Sequence, residues 1–263
     1  MSGEELPPAD AGAPGGVWGT ISPLFCARPD WRVAANRKSW PGGLALLFVI
    51  GLGGSIALLF VSLAAAQTGY ESTLEDELLA EPLLAQLILV AVVAPLFEET
   101  AFRLALTARP RLGAFALSGA TGFVYFAFSG VLTQIVAALF AVIAVAALVL
   151  WAQSMIAGIG RGDAIDAREP TRLPWSERFG RWWSAHPRWI IWCSIGVFGL
   201  VHVNNFDVRL HLASVVVAPL VVGPQLWVGL MFTIARVRYG WWAGLALHAL
   251  HNFAVWSVSS ALS

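Results

Sequence analysis

Pro95-Leu96-Phe97-Glu98-Glu99-Thr100-Ala101-Phe102-Arg103 lies inside an apolar run that spans residues 83–106. A helix needs roughly 20 apolar residues to cross a bilayer, so this run is long enough to span. Two carboxylates and a guanidinium therefore fall where hydrocarbon is expected. Each charge at the centre of a membrane helix costs on the order of 2.5–3.5 kcal/mol on insertion scales. Three of them in one run must be offset by structure or function. At 3.6 residues per turn, Glu99 and Arg103 are four apart and share a face, with the Glu in the favourable N-terminal position. Glu98 points about 100° away from Glu99. The spacing thus divides the three charges into a self-neutralising pair, Glu99 with Arg103, and one carboxylate, Glu98, left to face something else. A buried ion cluster that only fixes helix packing is the alternative use of the same residues.

The composition agrees with a membrane setting. Of 263 residues, 58% are hydrophobic and 12% charged, about half the charged share of a soluble domain. Net charge is zero, which suggests no nucleic-acid partner. Cys26 and Cys193 are the only cysteines, far apart and in different settings, so neither a disulfide framework nor a thiolate metal site is expected.

Residues 1–41 are polar and rich in Gly, Pro and Ala, and read as a largely disordered cytoplasmic segment without a cleavable signal peptide. Arg28, Arg32, Arg37 and Lys38 precede the first apolar run and hold this end inside. Residues 42–263 form the membrane domain. Its first span, 44–66, carries Gly51-Leu52-Gly53-Gly54-Ser55, a small-residue face for close helix packing. The acidic loop 67–81 fits the outside. The second span is the opening stretch, followed by spans at 112–128 and 132–152. The polar loop 160–188 is rich in arginine and reads as cytoplasmic. Trp175, Trp182, Trp183 and Trp189 suggest that part of it lies along the membrane surface.

A fifth span, 189–206, contains Phe198 and His202. Residues 210–235 are apolar but broken by Pro219, Gly223 and Pro224, and form one kinked span or two short ones. On the second alternative Arg236 and Arg238 fall outside, against the charge rule, but two residues decide little. The last span, 241–262, contains His248, His251 and Asn252. The fold class is all-α, a polytopic transmembrane helical bundle of about 7–8 spans.

The polar residues within the spans are Glu98, Glu99, Arg103, His202, His248, His251 and Asn252. A single His in an apolar helix is most often a hydrogen-bonded core residue. Here His248 and Asn252 are four apart on one face, both can donate hydrogen bonds, and two such donors can bind a developing oxyanion. Three helices thus supply a base candidate, a second proton-handling group and an oxyanion site.

The order Glu98-Glu99-x-x-x-Arg103, Phe198-x-x-x-His202, His248-x-x-x-Asn252 resembles the CAAX protease and bacteriocin-processing family of intramembrane peptidases, which includes the type II prenyl-protein proteases. Each motif alone is weak; all three in order, each inside an apolar span, are more specific. The resemblance implies a glutamate-dependent endopeptidase of about eight helices with its site sunk in the bilayer. Glu98 would activate water, His202 would help hold it, and His248 and Asn252 would form the oxyanion hole. Glu99, Arg103 and Phe198 would support the site. Leu104 stands where the family often has Gly, a change that touches helix packing but no chemical group. No cofactor is implied.

Two other classes use the same residues. Glu98, His202 and His248 could be three zinc ligands with water as the fourth, although the chain has no His-Glu-x-x-His run. A transporter or membrane chaperone could use the buried charges as a proton relay. The partners expected are the lipid bilayer and a membrane-associated peptide or protein substrate: a prenylated C-terminal peptide, a leader peptide or a segment of another membrane protein. The great excess of Arg over Lys points to a bacterial plasma membrane. Oligomeric state is left open.

Overall fold

A computed structural model of the chain describes residues 40–67, 69–72, 81–107, 111–127, 131–159, 175–208 and 212–262. The N-terminal segment, Cys26 and residues 160–174 of the polar loop lie outside these. The described residues form nine helices and one short strand pair. Helix α1 is Trp40–Ala66, α2 is Leu83–Arg103, α3 is Leu112–Phe126 and α4 is Val131–Ile159. Next come α5 (Trp175–Ala185), α6 (Pro187–Val201), α7 (Leu212–Val221), α8 (Gly223–Tyr239) and α9 (Trp241–Leu262).

Among the described residues, two helices are long and apolar enough to cross a membrane, Pro41–Ala66 and Leu83–Arg103. The region around Pro219–Pro224 is a bent pair: α7 and α8 meet at 46° and make a third candidate span if taken as one. Leu112–Phe126 is a shorter apolar helix, as is Ala137–Gln153 within α4. The outer surface carries many large apolar side chains. On α4 alone Leu139, Val142, Val145, Leu148 and Val149 are exposed. Contiguous apolar exposure on this scale is unusual for a protein in water and is what a hydrocarbon solvent requires.

Helix α8 is the centre. Every residue from Val228 to Ala235 is buried, as expected of a helix enclosed on all sides. It packs against α1, α6 and α9. Of the small-residue patch on α1, Gly51 faces Met231 and Gly54 faces the indole of Trp227, whereas Gly53 has no neighbour where its Cβ would stand. Trp227 is fixed by its own hydrogen bond, from Nε1 to the Ile50 carbonyl at 3.0 Å. At the end of α8, Gly240 has φ of +102°, a left-handed conformation that only glycine adopts freely. It turns the chain into α9.

Helix α2 is not a uniform α-helix. It contains two π-helical turns, Leu89–Val93 and Glu99–Arg103. Pro95 explains the first. Proline in a helix interior has no N–H and its ring crowds the preceding turn, and a π-turn is one way to absorb it. In the π register Ala94 N–H bonds to Leu89 O, so Pro95 would be the next donor, to Val90 O. It cannot donate, and the Val90 carbonyl needs a partner from elsewhere.

Three features depart from the sequence reading. The fifth span ends as an α-helix at Val201, and His202–Asn205 forms a 3₁₀ turn. The acidic loop contains β1 (Tyr70–Ser72), which pairs antiparallel with β2 (Phe206–Val208) in the register Tyr70 with Val208, Glu71 with Asp207 and Ser72 with Phe206. Strands of three residues are too short to show alternation. The end of the polar loop is α5, which packs inward through Phe179 and Trp183 against Phe115, while Trp182 and Trp189 are exposed. The Trp183 N–H bonds to Thr107 O at 3.1 Å.

Gly54→Ala should lower the thermal unfolding midpoint of the protein in detergent, since an overpacked methyl costs about 1–3 kcal/mol. Gly53→Ala should leave it unchanged. Equal midpoints for the two variants would contradict the close α1–α8 approach.

Candidate active site

Glu99 and Arg103 lie on the second π-turn of α2, and neither side chain has any exposed surface. Arg103 Nη1 donates to Glu99 Oε1 at 2.5 Å. The remaining guanidinium nitrogens reach α8: Nε donates to Thr233 Oγ1 at 3.2 Å, and Nη2 approaches Gly229 O at 3.4 Å. Its carbon lies 4.1 Å from the Phe198 ring centroid and 5.5 Å from that of Phe232, so the cation is sandwiched by two π faces. One charge thus ties α2, α6 and α8 together.

Glu99 Oε1 also accepts from His248 Nδ1 at 3.0 Å, across from α9. The other oxygen, Oε2, is buried without a hydrogen-bond partner among the described residues. Gly244 lets the α9 backbone come close to it: a Cβ there would stand 3.0 Å from Oε2. Phe232 stacks on the His248 ring at 4.2 Å and 20°.

Glu98 is buried but outside the ion pair. Its Oε2 lies 3.6 Å from His248 Nε2 and 3.9 Å from His202 Nε2. Its Oε1 accepts from the Tyr125 hydroxyl at 3.1 Å. His202 stands where α6 ends, so carbonyls of the last turn need donors. His202 Nδ1 takes Phe198 O at 2.7 Å and Asn204 takes Val201 O at 2.8 Å. Carbonyls and carboxylates only accept. Nδ1 is therefore the protonated nitrogen in His202 and in His248, and in the neutral rings each Nε2 carries a lone pair. Two imidazole lone pairs and one carboxylate oxygen converge on the same small space.

The structure thus brings together Glu98, Glu99, Arg103, Phe198, His202 and His248. Asn252 sits one turn beyond His248 on α9, but its Nδ2 donates to Val90 O at 3.0 Å, the carbonyl that Pro95 leaves without an intrahelical donor. His251 is set apart. It pairs through Nε2 with Ser55 Oγ on α1 at 3.2 Å. Among the described residues no group of three His, Cys, Asp or Glu is arranged to hold a metal ion.

Residues 172–254 match the family model described as type II CAAX prenyl endopeptidase Rce1-like. That segment, about a third of the chain, is similar to an Rce1-like endopeptidase domain. That family consists of CAAX prenyl endopeptidases, intramembrane proteases of the glutamic type. The matched segment holds Phe198, His202, His248 and Asn252, while Glu98, Glu99 and Arg103 lie before it on α2. No curated protein and no solved structure matches the chain.

Several residues of this cluster were not singled out from sequence. Thr233 and Phe232 lie in the broken apolar stretch and carried no motif. Arg236 was weighed only for topology, yet its Nε and Nη2 donate to the carbonyls of Arg103 and Leu104, each at 2.9 Å, and close the end of α2. Tyr125 could have been flagged, because a hydroxyl inside an apolar span needs a partner.

Arg103→Met should destabilise the protein by about 3–5 kcal/mol, because it leaves a buried charge without its main partner. Replacing both members, in Glu99→Gln with Arg103→Met, should recover part of that loss. Thermal unfolding of the two variants checks it, and a wild-type midpoint for Arg103→Met would show that the pair constrains nothing.

Proposed function

We propose that this chain is an intramembrane endopeptidase that hydrolyses a peptide bond of a membrane-associated substrate with water activated by Glu98. The observation that carries the reading is the convergence of Glu98 Oε2 with the two imidazole Nε2 atoms, at 3.6 and 3.9 Å. A water in that space would donate one hydrogen to Glu98 Oε2 and the other to His202 Nε2. Its lone pair would then point at an incoming carbonyl carbon. Glu98 takes the proton, the water oxygen bonds to the carbon, and the carbonyl electron pair moves onto oxygen. The tetrahedral species collapses by breaking the C–N bond, and the leaving nitrogen takes the proton back from Glu98.

His248 lies between the carboxylates of Glu98 and Glu99. It donates to Glu99 from Nδ1, and in this reading Nε2 carries a hydrogen in place of its lone pair when it serves the oxyanion. Asn252 is the second oxyanion donor in this reading. An amide nitrogen has two hydrogens, and one of them is used on Val90 O. Arg103 pairs with Glu99, which leaves Glu98 as the carboxylate that takes the water's proton in this reading. Phe198 supports His202 through its carbonyl and Arg103 through its ring. No metal or cofactor enters the scheme.

The substrate classes consistent with the reading are prenylated C-terminal peptides, leader peptides and segments of other membrane proteins. Spans beyond the two or three long apolar helices bring the bundle to about 7–8, with the N-terminus in the cytoplasm of a bacterial cell. Glu98→Gln keeps the size and polarity of the side chain but removes the base. It should cut the cleavage of a membrane-anchored peptide by at least about 10²–10⁴-fold, the usual worth of a positioned base, with no loss of folding. Cleavage at the wild-type rate would refute the mechanism. Stoichiometric zinc in active protein, lost together with activity on chelation, would replace it with the metal-dependent alternative.

A further inference from the structure

Tyr125 belongs to none of the three motifs and lies outside the matched segment. It stands on α3, the first helix of the α3–α4 pair that separates the first motif from the second along the chain. Its hydroxyl donates to Glu98 Oε1 at 3.1 Å. Among the described residues this is the only hydrogen bond to the Glu98 carboxylate within 3.5 Å. The phenol ring is held on two sides. Phe97 stacks on it at 5.6 Å and 28°, and Phe126 meets it edge-on at 4.8 Å. Two turns earlier on the same face of α3, Ser118 donates to Thr100 O at 2.9 Å. Helix α3 is therefore docked on α2 by a second contact that does not involve Tyr125.

We propose that Tyr125 is a positioning residue for the hydrolysis: its hydroxyl holds Glu98 by Oε1 and so presents Oε2 to the space shared by His202 and His248. The inference rests on Glu98 being the general base. The carboxylate of a Glu turns on a broad terminal torsion, and without an anchor its two oxygens exchange places. A donor on one oxygen selects the other for proton transfer. A phenol suits the task because it is neutral. When Glu98 is ionised, Oε1 accepts from Tyr125. When Glu98 carries the water's proton on Oε2, Oε1 is a carbonyl oxygen and accepts still. The anchor thus lasts through the proton's arrival and return. A cationic partner on Oε1 would instead favour the ionised form throughout.

The test compares Tyr125→Phe, Glu98→Gln and Ser118→Ala with wild type, each as the full chain in lipid nanodiscs. The probe is a quenched fluorescent peptide ending in a farnesylated Cys-a-a-X sequence. Tyr125→Phe keeps both ring contacts. It should lower kcat about 10–100-fold, the scale of losing one hydrogen bond to a charged group or of a small misplacement, with KM and thermal midpoint unchanged. Independently of any substrate, the infrared carboxyl band that disappears in Glu98→Gln should shift in Tyr125→Phe and stay in place in Ser118→Ala. An unmoved band, an unchanged kcat, or a loss that appears only as raised KM or a lowered midpoint would overturn the proposal. If Glu98→Gln cleaves normally, the base assignment itself has failed. If Glu98→Gln is inactive and Tyr125→Phe is not impaired, only the role of Tyr125 has failed.

Discussion

The Glu99–Arg103 pair is the constraint from which the rest of the structure follows. Both side chains are wholly buried, and a buried pair is favourable only when its remaining hydrogen-bonding groups are also satisfied. For Arg103 that requirement is met from outside its own helix, by Thr233, Gly229 and the faces of Phe198 and Phe232. For Glu99 it is met in part by His248. The partners come from α6, α8 and α9, so satisfying one guanidinium and one carboxylate fixes three helices against α2. Helix packing in a bilayer gains little from hydrophobicity, since lipid is as apolar as Leu. Buried polar contacts and close aromatic packing have to supply the specificity.

The backbone of α2 is arranged around the same centre. Pro95 takes a donor out of the helix three residues before Glu98, and the π-turn at Leu89–Val93 absorbs the defect. The Val90 carbonyl so released is taken by Asn252. At the other end, Arg236 takes the carbonyls of Arg103 and Leu104. Both irregular ends of the segment are thus closed by side chains from the C-terminal helices. An unsatisfied carbonyl at membrane depth costs several kcal/mol, so α2 is held in register along its length.

Much of this was legible before any coordinates. The i, i+4 relation of Glu99 and Arg103 is a property of spacing, and the structure contains that pair. The apolar runs correspond to the helices seen at α1, α2 and α3, within a few residues at each end. What was not legible depended on contacts between distant elements. The β1–β2 pair joins residues far apart in the chain and is three residues long. Arg236 looks like any basic residue after a span until the end of α2 is seen beneath it. The bend between α7 and α8 was visible as Pro219, Gly223 and Pro224, but a break and a kink have the same sequence. Asn252 shows the limit of a face argument. The shared face with His248 is real, yet its amide is engaged by a carbonyl that only the π-turn exposes.

The site also crosses the boundary of the family resemblance measured along the chain. The matched segment begins after the α3–α4 pair, so the proposed base and its supporting ion pair come from outside it, and the histidines from within. The join is aromatic. Phe102, just before Arg103, meets Phe198 edge-on at 5.5 Å, and also Phe126 on α3 and Phe140 on α4 at 5.9 and 5.4 Å. This cluster packs α3 and α4 against both motif helices, and the Arg103 guanidinium lies over its Phe198 ring. Phe102 also lines an apolar cavity of about 670 Å³, together with Phe115, Phe140, Trp183 and Cys193 among others. Glu98 and the histidines are not part of its wall. The α3–α4 pair intervenes between the first two motifs along the chain, and the aromatic contacts hold those motifs together across it.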